Sequence, residues 1–220
     1  MAQLHHDSMA QWLNLLGWMV CVVYSTIPCF WLLIHPWANY WRSRKGSPYR
    51  ILVPVWIATW IVIGLLTSGW RQATLYSTLW SWIPAILLFS SGSWIYSKSG
   101  RLFSRAQLSG LPEVLPNHGE QRLVTSGIRS RVRHPVYLAH LCQLLAWSVG
   151  TGLIACYGLT AFAMVTGAIM IRLEDAELQQ RFGEEYKQYK TTVPSILPRF
   201  LTNCDASARR CKQRLYSCDR

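Results

Sequence analysis

Apolar and charged positions are segregated along this chain instead of being interleaved. From Gln11 to Ile34, Ile51 to Gly69, Leu75 to Tyr96 and Val136 to Ile171 there is no Asp, Glu, Lys or Arg. A helix needs about 20 apolar residues to cross the hydrocarbon core of a bilayer. Each of the first three stretches predicts one such helix. The fourth is 36 residues long, about twice the requirement, and Gly150-Thr151-Gly152 near its middle predicts a tight turn between two limbs. The pattern therefore predicts an all-α integral membrane protein with five transmembrane helices, the last two forming a hairpin. The first limb of that hairpin is short for a complete crossing.

Composition agrees with the pattern. Of 220 residues, 51% are hydrophobic and 15% charged, whereas a soluble domain carries about 25% charged residues. A soluble enzyme is disfavoured, and disorder is excluded by the wealth of aromatics. The net charge of +12 suggests nucleic acid until the charges are mapped. Lys and Arg number none before the first span, four between the first and second, one (Arg71) between the second and third, and seven between the third and fourth. None falls in the hairpin turn, and ten follow from Arg172 onward. An N-terminus outside and five spans put 21 of the 22 on one side, which the positive-inside rule makes the cytoplasm. Anionic headgroups account for this charge, and no nucleic acid is needed.

The N-terminal MAQLHHDSMAQ lacks the basic residues and cleavage site of a secretory signal, so the first apolar stretch is expected to be retained. Four of the seven Cys lie in apolar spans and three (Cys204, Cys211, Cys218) in the basic tail, an arrangement that argues against a disulfide framework. The chain divides into three N-terminal transmembrane helices (1–96), a catalytic region of loop, hairpin and C-terminal helix (97–200), and a basic tail (201–220) expected to be disordered. In the C-terminal helix, Leu173, Leu178 and Phe182 fall near one stripe, and Gly183 is placed to bend it.

Polar chemistry concentrates at the mouths of the hairpin. Arg133-His134-Pro135-Val136-Tyr137 opens it and Glu174-Asp175 closes it. Counted from the turn, both ends arrive at one membrane interface. Pro135 suits a first helical turn, where its missing N–H costs nothing. Arg131 and Arg133 read as interfacial anchors. Carboxylates, in contrast, are poor neighbours for anionic lipid, and ionisable groups at membrane depth are functional candidates. His140, two turns further in, reads as a polar contact between helices. Gly150-Thr151-Gly152-Leu153-Ile154-Ala155 matches a dinucleotide-binding fingerprint, but an apolar run fills the interval where that motif needs strands. No spacing resembles a metal site, and the terminal Cys-Asp-Arg is out of frame for prenylation.

The segment LVTSGIRSRVRHPVYLAH, followed by LEDAELQQRFGEEYKQYKTTVPSILP, resembles the isoprenylcysteine carboxyl methyltransferase family and the wider group of membrane methyltransferases that includes phospholipid N-methyltransferases. The resemblance runs from about Gln121 to Pro198, in several motifs that occur in order. It implies methyl transfer from S-adenosylmethionine to a lipid-soluble or lipid-anchored acceptor at the cytoplasmic face. The acceptor would be an isoprenylcysteine-like carboxylate, a phospholipid amine or a small thiol. Carried over by motif, the cofactor-binding residues are Gln121, Arg122, Leu123, Val124, His134, Pro135, Val136, Tyr137, Glu174 and Asp175, with His134, Tyr137 and Glu174 as the catalytic set.

The departures from the family pattern bear on the acceptor. Arg129 stands where an aromatic is usual, Ala139 where the family has a small residue, and Asp175 where the second acid is usual. The arginine that faces the acceptor carboxylate in the family falls on Met170, and Arg172 lies on another helical face. The donor is thus better specified than the acceptor. Two rival readings remain open at this stage. One is an NADPH-dependent membrane reductase, since some sterol reductases are similar in their C-terminal half; the other is a non-enzymatic transporter or scaffold.

Overall fold

The computed structural model of the chain describes residues 2–44, 46–100 and 123–198. Gln121, Arg122 and the basic tail lie outside the described residues. What is described is helical: α1 (Ala2–Ser25), α2 (Ile27–Leu32), α3 (Ala38–Ser43), α4 (Tyr49–Thr67), α5 (Trp82–Gly100), α6 (Pro135–Thr151) and α7 (Ile154–Thr192), with short 3-10 segments at 35–37, 68–70, 79–81 and 127–130. The β-type pairing among the described residues is one isolated bridge, Thr74 with Leu153.

Among the described residues, three helical segments are long and apolar enough to cross a membrane: Ala10–Trp41, Tyr49–Trp70 and Ile154–Thr192. The protein is an integral membrane protein. The faces of α4 and α5 carry the corresponding signature, with Ile61, Val62, Leu65, Leu66, Ile86 and Leu87 all exposed; on a soluble surface a patch of that extent is rare.

The first apolar stretch is not one unbroken helix. Pro28 lies in the first turn of α2, the ordinary place for a residue without an N–H, and α1 ends at Ser25. The loosened backbone is tied across to α4: the Trp56 indole donates to Thr26 Oγ1 at 3.0 Å. The third stretch also departs from its expected bounds. Its helix begins at Trp82, because residues 73–75 leave the helical path to pair with the hairpin turn. Leu75 N–H donates to the Gly152 carbonyl at 2.8 Å and Ile154 N–H to the Ala73 carbonyl at 2.9 Å.

The hairpin is formed as its glycines suggest. α6 stops at Thr151, Gly152 adopts the left-handed conformation with φ of 67°, and α7 starts at Ile154. A helix on each side of this turn rules out the strand–turn–helix of a dinucleotide site. A side chain at Gly150 would meet the Trp82 ring at 2.8 Å, so glycine lets α5 lie close against the end of α6. The 39 residues of α7 amount to ~58 Å of helix, well beyond the ~30 Å of a hydrocarbon core. Its polar continuation turns back at Gly183, where φ 56° and ψ −129° break the helical path. Beyond the break Tyr186, Tyr189 and Val193 form a small core with Leu123, Leu178 and Phe182, whereas Leu173 points outward.

Candidate functional site

The end of the molecule opposite the hairpin turn is built around one imidazole. His134 is the residue before the first turn of α6 and is 3% exposed. Its Nε2 lies 2.9 Å from Asp175 Oδ1 and its Nδ1 3.2 Å from Glu174 Oε2. Two consecutive carboxylates on α7 thus grip the two edges of one ring on α6. Burial pulls the imidazole pKa down, but the Glu174 and Asp175 carboxylates outweigh that penalty and hold it up at about 9. Within this site the ring keeps its proton at neutral pH, hydrogen-bonded to Asp175 through Nε2 and ion-paired with Glu174 through Nδ1.

Asp175 is fully engaged. Besides His134 it accepts from Arg133 Nη2 at 2.8 Å and from the Tyr186 hydroxyl, with Lys190 Nζ at 3.6 Å. The Gly183 break brings Tyr186 back to it. Arg133 is 7% exposed, and this corrects its reading as a headgroup anchor. Its guanidinium reaches the end of α7, donating from Nη1 to the Lys190 and Val193 carbonyls at 3.0 and 2.6 Å, where a cation suits both the orphan carbonyls and the helix dipole. Main-chain bonds from Arg133 and His134 to the Pro194 and Ser195 carbonyls, both 2.9 Å, lay the segment after α7 beside the start of α6. Arg131, by contrast, is exposed.

Glu174 faces more of the surroundings. It lies in the field of His134, His35 and Arg129, and burial lowers the Arg129 pKa while Glu174 works against that shift. One turn along, Glu177 is paired with His35 Nδ1, whose ring stacks on Trp31 with centroids 5.5 Å apart. That pair joins the N-terminal helices to the site. Tyr137 follows one turn into α6, with its ring 6.1 Å from that of His134. Pro135 is buried beneath the cluster and Val136 is half-buried; Leu123 and Val124, also half-buried, lead into it, with Leu123 packed on the Tyr186–Tyr189 core.

The structure therefore brings His134, Tyr137, Glu174 and Asp175 together, and adds His35, Arg129, Arg133, Glu177 and Tyr186 to those anticipated. The signal for His35 was present as an ionisable residue just past an apolar run. Tyr186 and Tyr189 stood in the C-terminal motif without a stated partner. No group of His, Cys, Asp or Glu able to hold a metal ion occurs among the described residues. Three buried atoms here have no hydrogen-bond partner among the described residues: Glu174 Oε2, Arg133 Nε and Ser195 Oγ. Buried polar atoms left without a hydrogen bond are uncommon in folded proteins, and they mark this region as one where a ligand's polar groups could be met.

Comparison with known proteins agrees with this class of membrane protein. The chain is similar to isoprenylcysteine carboxyl methyltransferase-like proteins. It is 30% identical to a human protein-S-isoprenylcysteine O-methyltransferase over 146 residues, which is 60% of this chain and 49% of the relative. Over 82 residues it is 39% identical to protein-S-isoprenylcysteine O-methyltransferase B of Arabidopsis thaliana, covering 35% of the chain and 40% of that relative. It is also 28% identical to methanethiol S-methyltransferase 1 of Bradyrhizobium diazoefficiens over 175 residues, 73% of the chain and 58% of the relative. The matches thus span about half the length of these relatives. No family profile matches the chain, and no solved structure does.

Proposed function

We propose that this protein is an S-adenosylmethionine-dependent membrane methyltransferase acting on a lipid-soluble or lipid-anchored acceptor. In this reading five helices cross the bilayer, with the N-terminus outside and the His134 cluster at the cytoplasmic face. Residues 97–200 form the catalytic region. The observation that carries the reading is the meeting of His134 with Glu174 and Asp175, immediately beside an apolar cavity that begins at Tyr137.

When bound, the donor supplies an electrophilic methyl group on a sulfonium. Glu174 offers negative charge to the donor's cationic groups, and the half-buried setting strengthens that attraction over its value in water. Arg133 Nε and the Ser195 hydroxyl, which make no hydrogen bond among the described residues, are assigned as donors for its carboxylate. Asp175 works through others, fixing Arg133, His134 and Tyr186 in place. With its raised pKa, His134 holds Glu174 and does not take a proton from an acceptor at neutral pH. Tyr137 stands between the charged cluster and the apolar cavity, where it aligns the acceptor and excludes water. Displacement at a methyl carbon depends on such alignment more than on acid–base help. Gln121 and Arg122 are assigned to the donor site by resemblance.

The test is titration of the purified full chain with S-adenosylhomocysteine, for wild type, Glu174→Gln and His134→Ala, with size-exclusion profiles to show that each variant is folded. Binding to wild type and a loss of about tenfold or more in either variant is expected, matching one charge-assisted contact of roughly 1.5–3 kcal/mol. Affinity unchanged in both variants, or stabilisation by NADPH in place of S-adenosylhomocysteine, would overturn the proposal.

A further inference from the structure

The apolar cavity beside the charged cluster has a volume of about 230 Å³. Tyr24 of α1 and Pro28 of α2 form one wall. Tyr137, His140, Leu141 and Leu144 of α6 face residues Ala163 to Ile171 of α7, and Ile196 closes the end near His134. None of its twelve lining residues is Asp, Glu, Lys or Arg.

One group in that wall is out of keeping with the rest. His140 Nδ1 is buried and makes no hydrogen bond among the described residues. The ring does not drift in search of a partner, because two tyrosines hold it: Tyr24 edge-on at 5.6 Å and Tyr96 stacked at 6.0 Å. No carboxylate lines the cavity to pair with a protonated ring. A neutral imidazole carries one N–H and one acceptor nitrogen, and buried polar atoms in folded proteins nearly always find a partner. His140 lies three residues beyond Tyr137, one helical turn or ~4.5 Å deeper along α6. It therefore lies in the cavity wall one turn beyond the residue that borders the charged cluster, the first polar side chain an occupant of the cavity would meet after Tyr137 along α6.

We propose that this cavity holds the methyl acceptor and that His140 determines its class: an apolar molecule whose reacting group is neutral and carries a hydrogen, such as a thiol or an alcohol. Its S–H or O–H proton passes to the acceptor nitrogen of the neutral imidazole as the bond to the methyl carbon forms and the donor's sulfonium–methyl bond breaks. The inference rests on the proposed methyltransferase function. A carboxylate would enter a wall with no cation to meet it, and an unpaired buried ion is strongly penalised. The cavity opens beside the exposed Met164 and Ala168 of α7, so the selection lies in the reacting group and not in the length of the apolar chain behind it. Arg172 does not supply the missing cation; it is exposed and absent from the lining.

The test measures acceptor binding and methyl transfer separately on the full chain in lipid nanodiscs. Binding of 1-hexanethiol, 1-hexanol and hexanoate is measured by calorimetry against empty nanodiscs, and labelled-methyl transfer is assayed with 1-hexanethiol and with N-acetyl-S-farnesylcysteine. The thiol and the alcohol should bind at least tenfold more tightly than hexanoate, with the thiol alkylated and the farnesylcysteine carboxylate not. His140→Phe keeps a ring between Tyr24 and Tyr96 but removes both nitrogens, and should erase the preference for thiol and alcohol. His140→Asn, which restores a hydrogen-bonding group, should recover part of it. Both variants should keep wild-type affinity for S-adenosylhomocysteine. Equal binding of hexanoate, turnover of the farnesylcysteine carboxylate, or an unchanged preference in His140→Phe would overturn the inference. If S-adenosylhomocysteine fails to bind the wild type, the methyltransferase reading falls first, and the binding preferences still judge His140.

Discussion

At the scale of single residues the site is an exercise in pairing buried charge. His134, Arg133 and Asp175 are each nearly shielded from solvent, and none is tolerable there alone. Together they satisfy one another, and their partnership makes a sign-definite claim about pH. Burial opposes the His134 charge but the two carboxylates prevail, so the folded pKa stands near 9 against an ordinary value of 6.5. A group whose pKa is raised on folding contributes its full stabilisation below the unfolded value and loses it as pH rises through the folded one. Thermal stability of the purified protein should therefore fall between about pH 6.5 and pH 9, and His134→Gln should flatten that part of the profile. A wild-type profile with no slope across this window would show that the ring is not charged in the folded protein. Sequence alone exposed His134, Glu174 and Asp175 as a cluster, but not the difference between the carboxylates. Adjacent acids look alike as letters; only the break at Gly183, which returns Tyr186 to Asp175, makes one of them saturated and leaves the other open.

At the scale of elements, punctuation was more legible than extent. The Gly-Thr-Gly turn of the hairpin and the bend at Gly183 follow from residues that can take positive φ. The break between α1 and α2 and the late start of α5 do not follow from hydropathy. Pro28 and residues 73–75 are apolar or uncharged, and what decides their conformation is a partner distant in sequence. The hairpin turn shows how such a partner tightens a local rule. Gly152 combines φ of 67° with a backbone so close to Tyr76 that an added Cβ would collide with the Tyr76 carbonyl oxygen. The same Tyr76 donates its hydroxyl to the Val149 carbonyl at 2.9 Å and meets Tyr157 at 2.6 Å, so it is not free to withdraw. Gly152→Ala therefore combines left-handed strain of roughly 1–2 kcal/mol with a backbone clash, and its midpoint in detergent denaturation should drop clearly below wild type. Gly158→Ala, in the interior of α7 with nothing within 4 Å of the added carbon, is the control and should match or slightly exceed wild type, since alanine is the better helix former. Equal behaviour of the two would mean that the hairpin turn is not packed against Tyr76.

At the scale of the whole molecule, the charge map and the site geometry converge on one end. The turn of the hairpin pairs with the loop that carries Arg71, whereas the His35–Glu177 pair places the end of α2, and with it the basic stretch before α4, at the end where His134 lies. The packing of Ile34 with Trp41 and Leu52 carries that neighbourhood to the start of α4. The basic stretch before α4 and the candidate site thus share a side, and the proposed topology makes that side the cytoplasmic one by the positive-inside rule. Under the proposed function the arrangement is chemically coherent, because a water-soluble donor would reach the acid-and-imidazole cluster from that side while the apolar cavity behind it would take an acceptor arriving through lipid. Single cysteines introduced at Ser47 and at Gln72, in a chain whose seven native cysteines are replaced by serine, test this in sealed vesicles of known orientation. A membrane-impermeant maleimide should label Ser47→Cys only from the cytoplasmic face and Gln72→Cys only from the opposite face. Labelling of both from one face would mean that α4 does not cross the bilayer, and the basic loops would then lose their reason for sharing a side with the site.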